Sequence, residues 1–430
     1  MKNILKNIKS GKSDGNLGVY SDHILNGTDK LFHYISLLFN CMLVHGTSPE
    51  DMRVSTMVPI PKGKRLNLGI TDNFRGICLQ SLLCKVLDIF MLHRERHHLC
   101  TSNLQFGFKE SLSSSTATAI VTETIDYYQS KGGTVYALAL DATKAFDRVE
   151  YSQLFNMLLS RGFNPLYTRL LLNMYINQTV RVKFNNTLSD YFCVTNGVKQ
   201  GGVISPTLFT CYIDDMLKRL ESSKIGCHCG SQYVGCVSYA DDVILLSPTV
   251  TALKEMINIC EDFANEYHIK FNGSKCNLLV CDKKKCQQNI NIHVSGEPVA
   301  QVDRLKYLGH ILSSDRQDPH IENIKKDFII KVNSFLGDFN QISSHIKYDL
   351  FRTYCMSLYG TNISDLSNIE PLYTEWRKAV RRILNVPSRT HSSLLYHIIR
   401  DIPPDVCLQQ RFIIFLFWYL QPKCTCQFYV

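Results

Sequence analysis

Two short acidic stretches stand out as places where chemistry could be done. Asp141 closes the run ALALD, and Asp241 and Asp242 sit side by side in SYADDVILL, between apolar arms. A carboxylate in an apolar strand is costly to desolvate unless something compensates. Adjacent aspartates also repel each other, and a divalent cation removes that penalty. Magnesium suits such a place, because it takes a few carboxylates together with waters and substrate phosphates. Two such ions, roughly 3.5–4 Å apart, clamp the attacking and leaving oxygens of a phosphoryl transfer. Taken alone, Asp241-Asp242 is equally readable as a solvated hairpin turn, since aspartate is common in turns.

The elements that must position these residues follow from periodicity and punctuation. Thr134 to Leu140 is apolar and β-branched, which predicts a strand buried on both faces. Val234 to Ser247 predicts a hairpin with Ala240-Asp241-Asp242 between its arms. A helix is expected from Ser114 to Ser130, stopped by Gly132-Gly133, and others over Tyr151–Arg161 and Pro165–Asn177. Val180–Phe184 and Tyr191–Val194 read as strands joined by Asn185-Asn186. Ser205 reads as the N-cap of a helix with Pro206 in its first turn. From Thr251 to Tyr267, Leu253, Met256, Ile257, Cys260, Phe263 and Ala264 form one apolar stripe. Short strands are expected near Lys270 and Leu278–Val280, and one over Leu305–Leu312.

Upstream, a loop leads to a helix with Leu31, Ile35, Leu38, Met42 and Leu43 on one face. A short strand, Thr56 to Ile60, is broken by Pro59 and Pro61 and followed by a basic loop with Lys62, Lys64 and Arg65. Ser81 could cap a helix carrying Leu82, Val86, Leu87, Phe90 and Met91. Beyond residue 320 the pattern turns helical and basic, with Arg377, Lys378, Arg381 and Arg382 on one segment. Phe412 to Leu420 reads as a buried helix, and a boundary falls near residue 315.

A chain of 430 residues has room for two or three domains with a real core. The apolar share of 45% and charged share of 20% exclude disorder on a large scale. A formal charge of +9 is compatible with a polyanionic partner without demanding one. The 17 cysteines follow no repeating framework, and no long apolar run follows the basic start MKNILKNIKSGKSDG. Free thiols in a reducing, intracellular setting are expected. No stretch of about 18 apolar residues exists, so no membrane-spanning helix is expected.

Read in order, FRGICLQSLLCKVLD, QFGFKESLSSST, LALDATKAFDRVE, NGVKQGGVISPTLF, YADD, FNGSKCNLLV and LKYLGHIL form a series. It resembles the reverse transcriptase series of LINE-type (non-LTR) retrotransposons, over about residues 20 to 315. The resemblance implies an α+β right-hand polymerase with fingers, palm and thumb. Its palm would be an antiparallel sheet backed by helices, and its C-terminal thumb region helical. The implied divisions are 1–50 for an N-terminal extension and the start of the fingers, 51–315 for fingers and palm, and 316–430 for a truncated thumb region.

The resemblance also implies roles. Asp141 and Asp241 would be the firm ligands of two Mg²⁺ ions, with Mn²⁺ a possible substitute, and Asp242 supportive. Ala142, next to Asp141, would line both the metal and the nucleotide. Phe146 would lie under the incoming sugar and reject a 2′-hydroxyl, and Asp147 would be structural, pairing with Arg148 or a nearby base. Gln200 and Gly201 would lie against nucleotide and template, and Arg75 would grip the triphosphate with its bidentate fork. Gly76 stands where the family more often has proline, which is expected to loosen the turn there. Lys62 and Lys64 would touch phosphate or template. Lys275 would protonate or neutralise the leaving pyrophosphate, and Tyr307, Leu308 and Gly309 would hold the primer end.

The implied partners are an RNA template, a DNA primer or nicked target DNA, and dNTPs, in nucleus and cytoplasm. No endonuclease segment is evident, so a fragment or a truncated genomic copy is expected. Two rivals stay open: a group II intron reverse transcriptase–maturase, and an inactive relic that only binds RNA. Cys227-His228-Cys229 with Cys236 fits no common zinc spacing. Cys424 and Cys426 lie too close to the end for a histidine to follow. His93, His97 and His98 read as a solvated or nucleic-acid-facing surface.

Overall fold

The computed structural model describes residues 8–13, 18–63, 66–282, 290–314, 319–361, 369–402 and 404–420. Two five-stranded sheets organise them. The larger core surrounds an antiparallel sheet in the order Cys236–Tyr239, Asp242–Ser247, Val135–Leu140, Asn277–Cys281, with Ala300–Val302 added in parallel at the edge. Alternation along the strands explains why it is buried on both faces. Leu138, Leu140, Val243 and Leu245 join one apolar cluster with the helices Ser205–Ser223 and Val250–Glu266. Val135, Ala137, Ile244 and Leu246 point the other way, onto Ala117, Val121 and Ile125 of the helix Ser114–Ser130. The stripe expected on Val250–Glu266 is the buried face of that helix.

The second sheet has the order Phe74–Leu79, Val54–Pro61, Thr179–Phe184, Thr187–Leu188, with Phe192–Cys193 also on Thr179–Phe184. Here several expectations need correcting. The strand Val54–Pro61 runs through Pro59 unbroken, with Pro59 opposite Gly76. Its parallel pairing with Thr179–Phe184 stops at Met57, so the missing proline N–H faces no strand. Gly76 lies inside a strand rather than in a turn. Asn185-Asn186, both with left-handed φ, join Thr179–Phe184 to Thr187–Leu188 rather than to the later strand.

Ser81 caps its helix by accepting from the Cys84 N–H at 3.2 Å. Ser205 does not cap: Ile204 is the N-cap and Ser205 is already helical, with Pro206 in the first turn. The stretch Leu305–Leu312 is two strands, Arg304–Tyr307 and His310–Ser313, with Leu308-Gly309 as the turn. Both turn residues have positive φ, +46° and +83°.

After residue 319 come helices around a separate apolar cluster that includes Phe328, Phe351, Trp376, Val380 and Leu395. The basic group there is engaged rather than open. Arg377 pairs with Glu370 and Lys378 with Glu375. Arg381 donates to the Thr390 carbonyl, and Arg382 to Asn333. The helix Pro404–Leu420 is also not the buried element expected from its composition: Ile413 is 63% exposed and Phe417 59%. Lys64, Arg65, Cys424 and Cys426 lie outside the described residues. Among those described, no helix is long and apolar enough to cross a membrane.

These burials set distinct expectations. Phe351→Ala, at a fully buried ring, should cost about 3–5 kcal/mol. Ile413→Glu should change stability by less than about 0.5 kcal/mol. Chemical denaturation reads both, and a large loss in Ile413→Glu would return that helix to the core.

Candidate active site

Asp141 follows the last residue of its strand, and Asp242 begins the neighbouring one. Val243 is the antiparallel partner of Leu140, so the next pair in register sets Asp141 opposite Asp242. Cross-strand neighbours of this kind have Cβ atoms about 4.5–5.5 Å apart. Asp241 occupies the two-residue loop between Tyr239 and Asp242, which are themselves paired. The sheet therefore brings all three aspartates to one end.

Asp141 is anchored through its backbone. Its carbonyl accepts from the Asn272 N–H at 2.9 Å, and the Thr143 N–H donates to the Lys270 carbonyl at 2.9 Å. Ala142, between them, bridges to Phe271. Asp241 and Asp242 open to solvent, yet the protein packed around their carboxyls strips away enough water to matter. That desolvation, and then the charge of Asp141, raise the Asp241 pKa. Desolvation, then Asp241 and Asp141, push Asp242 up to about 6, against the pull of Arg75.

An all-carboxylate set with an open mouth suits a hard cation that keeps waters and takes phosphate oxygens. As the side chains stand among the described residues, no group of three or more His, Cys, Asp or Glu is drawn in closely enough to hold an ion. Like charge opposes any closer approach of these carboxylates.

Around this end sit most of the other expected residues. The Phe146 ring stacks on Phe209, with centroids 4.3 Å apart and planes 16° from parallel. Gln200 donates to Asp147 at 3.0 Å. That contact, rather than Arg148, is the partner of Asp147. The Gln200 carbonyl accepts from the Cys78 N–H at 2.7 Å, tying this loop to the strand that carries Arg75. Gly201 has φ +106°, and a Cβ there would lie 3.0 Å from the Cys78 carbonyl oxygen. Only glycine fits that approach.

Lys62 donates to the Asp72 carbonyl at 2.7 Å, and Lys144 pairs with the Asp72 carboxylate at 2.8 Å. The Lys144 hydrogen bond and charge, helped by the Lys62 and Lys275 charges, hold the Asp72 pKa below its ordinary value. Cations from three separate stretches thus act on one exposed carboxylate, Lys144 by direct contact. Tyr307 is buried, and its hydroxyl donates to the Val237 and Asp242 carbonyls at 3.2 and 3.4 Å. Leu308 accepts from Tyr359 at 3.0 Å, linking the hairpin to the helical region beyond.

Four residues around the Asp72 and Gln200 loops escaped the sequence reading. Lys144 and Asp72 meet only in space, across segments with no shared pattern. Lys199, 5% exposed, and Asp88, 3% exposed, lie behind the Gln200 loop. Burial raises the Asp88 carboxyl to about 6, against the Lys199 charge and the Ile204 and Val203 N–H groups. The apolar spacing around Asp88 gave no sign of it.

The reverse transcriptase (RNA-dependent DNA polymerase) family pattern matches residues 60–312. The chain belongs to the reverse transcriptase family. Among its relatives is the Pol polyprotein of the retrotransposable element R2 of Nasonia vitripennis, 26% identical over 65% of this chain and 28% of the relative. The RNA-directed DNA polymerase of the mobile element jockey of Drosophila melanogaster is 23% identical over 94% of this chain and 45% of its own length. This reverse transcriptase chain thus spans less than half of either relative. The retrotransposon relatives bear out the LINE-type reading of the motif series. Among solved structures, Candida tropicalis telomerase bound to a fragment of telomeric RNA aligns with 92% of this chain and 68% of its own, at 12% identity and a TM-score of 0.43. The family match over residues 60–312 bears out the α+β right-hand polymerase class expected from the motif series.

The raised Asp242 carboxyl gives a signed expectation. Its pKa rises from 3.8 to about 6 on folding. Between those values the folded chain holds a proton that the unfolded chain has lost, so this group's contribution to stability falls as pH rises through that window. In EDTA, the thermal midpoint should drop more from pH 5 to pH 8 in the parent than in Asp242→Asn. Magnesium should restore it at pH 8, because only the ionised carboxylates bind a cation. Equal drops in both proteins would contradict the assignment.

Proposed function

We propose that this chain extends the 3′-hydroxyl of a DNA primer with deoxynucleoside triphosphates, copying an RNA template. The supporting observation is the strand register that sets Asp141 across from Asp242 at the sheet end where Asp241 turns. Residues 51–315 act as fingers and palm, 316–430 as thumb and following helices, and 1–50 as an extension leading into the fingers. The primer is a free DNA end such as a nick in target DNA, and the protein works in nucleus and cytoplasm as a retroelement protein.

Asp141 and Asp241, with Asp242 in support and Ala142 beside them, would hold two magnesium ions, or manganese in their place. Bound there, the ions supply charge neutralisation for the attacking and leaving oxygens. The protein's own share is positioning. Arg75, whose charge reaches both Asp241 and Asp242, meets the triphosphate. Lys62 and Lys275 take its outer phosphates, and Lys275 also neutralises or protonates the pyrophosphate as it departs. Gln200 and Gly201 pack against nucleotide and template. Tyr307, Leu308 and Gly309 seat the primer end.

Phe146 sets sugar choice, because its ring is braced by Phe209 and cannot yield to an extra hydroxyl. Phe146→Val should admit ribonucleotides, raising the rNTP-to-dNTP ratio of kcat/KM by about 10- to 100-fold. Steady-state incorporation of rUTP against dTTP reads it, and an unchanged ratio would assign Phe146 to the core alone.

The activity itself is tested by primer extension on poly(rA)–oligo(dT) with Mg²⁺ and dTTP, comparing the parent with Asp241→Ala. Extension by the parent and a loss of at least about 10³-fold in the variant is the expected result. Equal signal from both would mean a contaminating polymerase. RNA binding without extension would point to an inactive relic.

A further inference from the structure

We propose that Gln105 is a positioning residue for the catalytic aspartates, its side-chain amide holding the loop that presents Asp241 and Asp242. The inference rests on the polymerase reading for what those aspartates do, but not for the geometry.

Ala240 and Asp241 form the two-residue loop between paired Tyr239 and Asp242. Ala240 has φ +57°, a left-handed conformation at a loop position that ordinarily goes to glycine. A side-chain-bearing residue keeps such a backbone only where its surroundings impose it. Gln105 supplies that surrounding. It is completely buried, and its Oε1 accepts from the Ala240 N–H at 2.9 Å and from the Gly107 N–H at 2.8 Å. Its Nε2 donates to the Ser238 hydroxyl at 3.0 Å, which in turn donates to the Ala240 carbonyl at 3.0 Å.

One amide therefore grips Ala240 by both backbone groups, directly at the N–H and through Ser238 at the carbonyl. The donor and acceptor needs of the three partners fix which way the amide points. The segment is itself locked on the hairpin: Phe106 N–H donates to the Ser238 carbonyl at 2.7 Å, and Ser238 N–H to Leu104 at 2.9 Å. Gly107 completes the fit, since a Cβ there would lie 2.5 Å from the Ala240 nitrogen. Tyr307 also bonds the hairpin, at the Val237 and Asp242 carbonyls. Gln105 touches no reacting atom; it acts through the backbone that aims the carboxylates.

The test compares the parent, Gln105→Met and the double variant Gln105→Met with Ala240→Gly. Methionine fills similar volume but makes none of the three hydrogen bonds. Primer extension on poly(rA)–oligo(dT) gives kcat and KM, and free-Mn²⁺ electron paramagnetic resonance gives cation affinity without any reaction. In Gln105→Met, kcat and Mn²⁺ affinity should each fall about 10- to 100-fold, as when an outer-sphere support is removed, with KM for primer–template unchanged. Ala240→Gly in that background should recover much of both, because glycine adopts positive φ without restraint.

Parental kcat and Mn²⁺ affinity in Gln105→Met would overturn the proposal. So would a loss that Ala240→Gly leaves untouched, since that marks a purely structural glutamine. Should Gln105→Met not fold, Ser238→Ala removes the carbonyl arm of the grip, and unchanged Mn²⁺ affinity there would overturn it equally. A parent that binds Mn²⁺ but extends no primer would contradict the polymerase reading, while the Mn²⁺ comparison still decides the role of Gln105.

Discussion

Everything in the site depends on one strand pairing, that of Val135–Leu140 with Asp242–Ser247. It sets two aspartates opposite each other at the sheet end with a third in the adjoining turn. Those carboxylates repel one another where water is partly excluded, so the pairing must be held by something other than the acids. The sheet does this through its two faces. Alternate side chains of the same two strands enter separate apolar clusters, one under the helix Ser114–Ser130 and one under Ser205–Ser223 and Val250–Glu266. A one-residue slip would turn every one of them to the wrong face. The register that buries the core is thus the register that assembles the acids.

The surrounding parts are fastened to that end by a few specific bonds. The Gln200 loop reaches back to Asp147 and forward to Cys78, joining the motif after Asp141 to the strand bearing Arg75. Tyr307 ties the hairpin Arg304–Ser313 to the strands flanking Asp241, and Tyr359 ties it to the region that follows. Lys144 pairs with the Asp72 carboxylate while Lys62 donates to the Asp72 carbonyl, so the loop from Lys62 to Asp72 meets the segment after Asp141 through an exposed ion pair. Exposed pairs of this kind contribute little to stability, which leaves the loop free to trade one anion for another.

Much of this was legible in the sequence because local and global signals agree. The strand ending at Asp141, the hairpin around Asp241-Asp242 and the stripe on Val250–Glu266 all follow from period alone. Failures came where tertiary context decides. Pro59 continues a strand because its open side needs no donor, and no local rule shows which side is open. Phe412 to Leu420 looks like core by composition, but the helix lies on the surface of its own small cluster. Ser205 has the residue type of a cap and sits one position too late. Buried Gln105, Asp88 and Lys199 were invisible for a related reason: a polar residue declares its burial only through partners far away in the chain, such as Ser238 for Gln105 and the Val203–Ile204 backbone for Asp88.

The most direct measurement is the position of Mn²⁺ by anomalous diffraction in a complex with RNA template, a DNA primer lacking its 3′-hydroxyl, and a matching dNTP. The account predicts two ions roughly 3.5–4 Å apart, with carboxylate oxygens of Asp141 and Asp241 both in their coordination. An ion held by Asp241 and Asp242 while Asp141 stays outside its reach would contradict it.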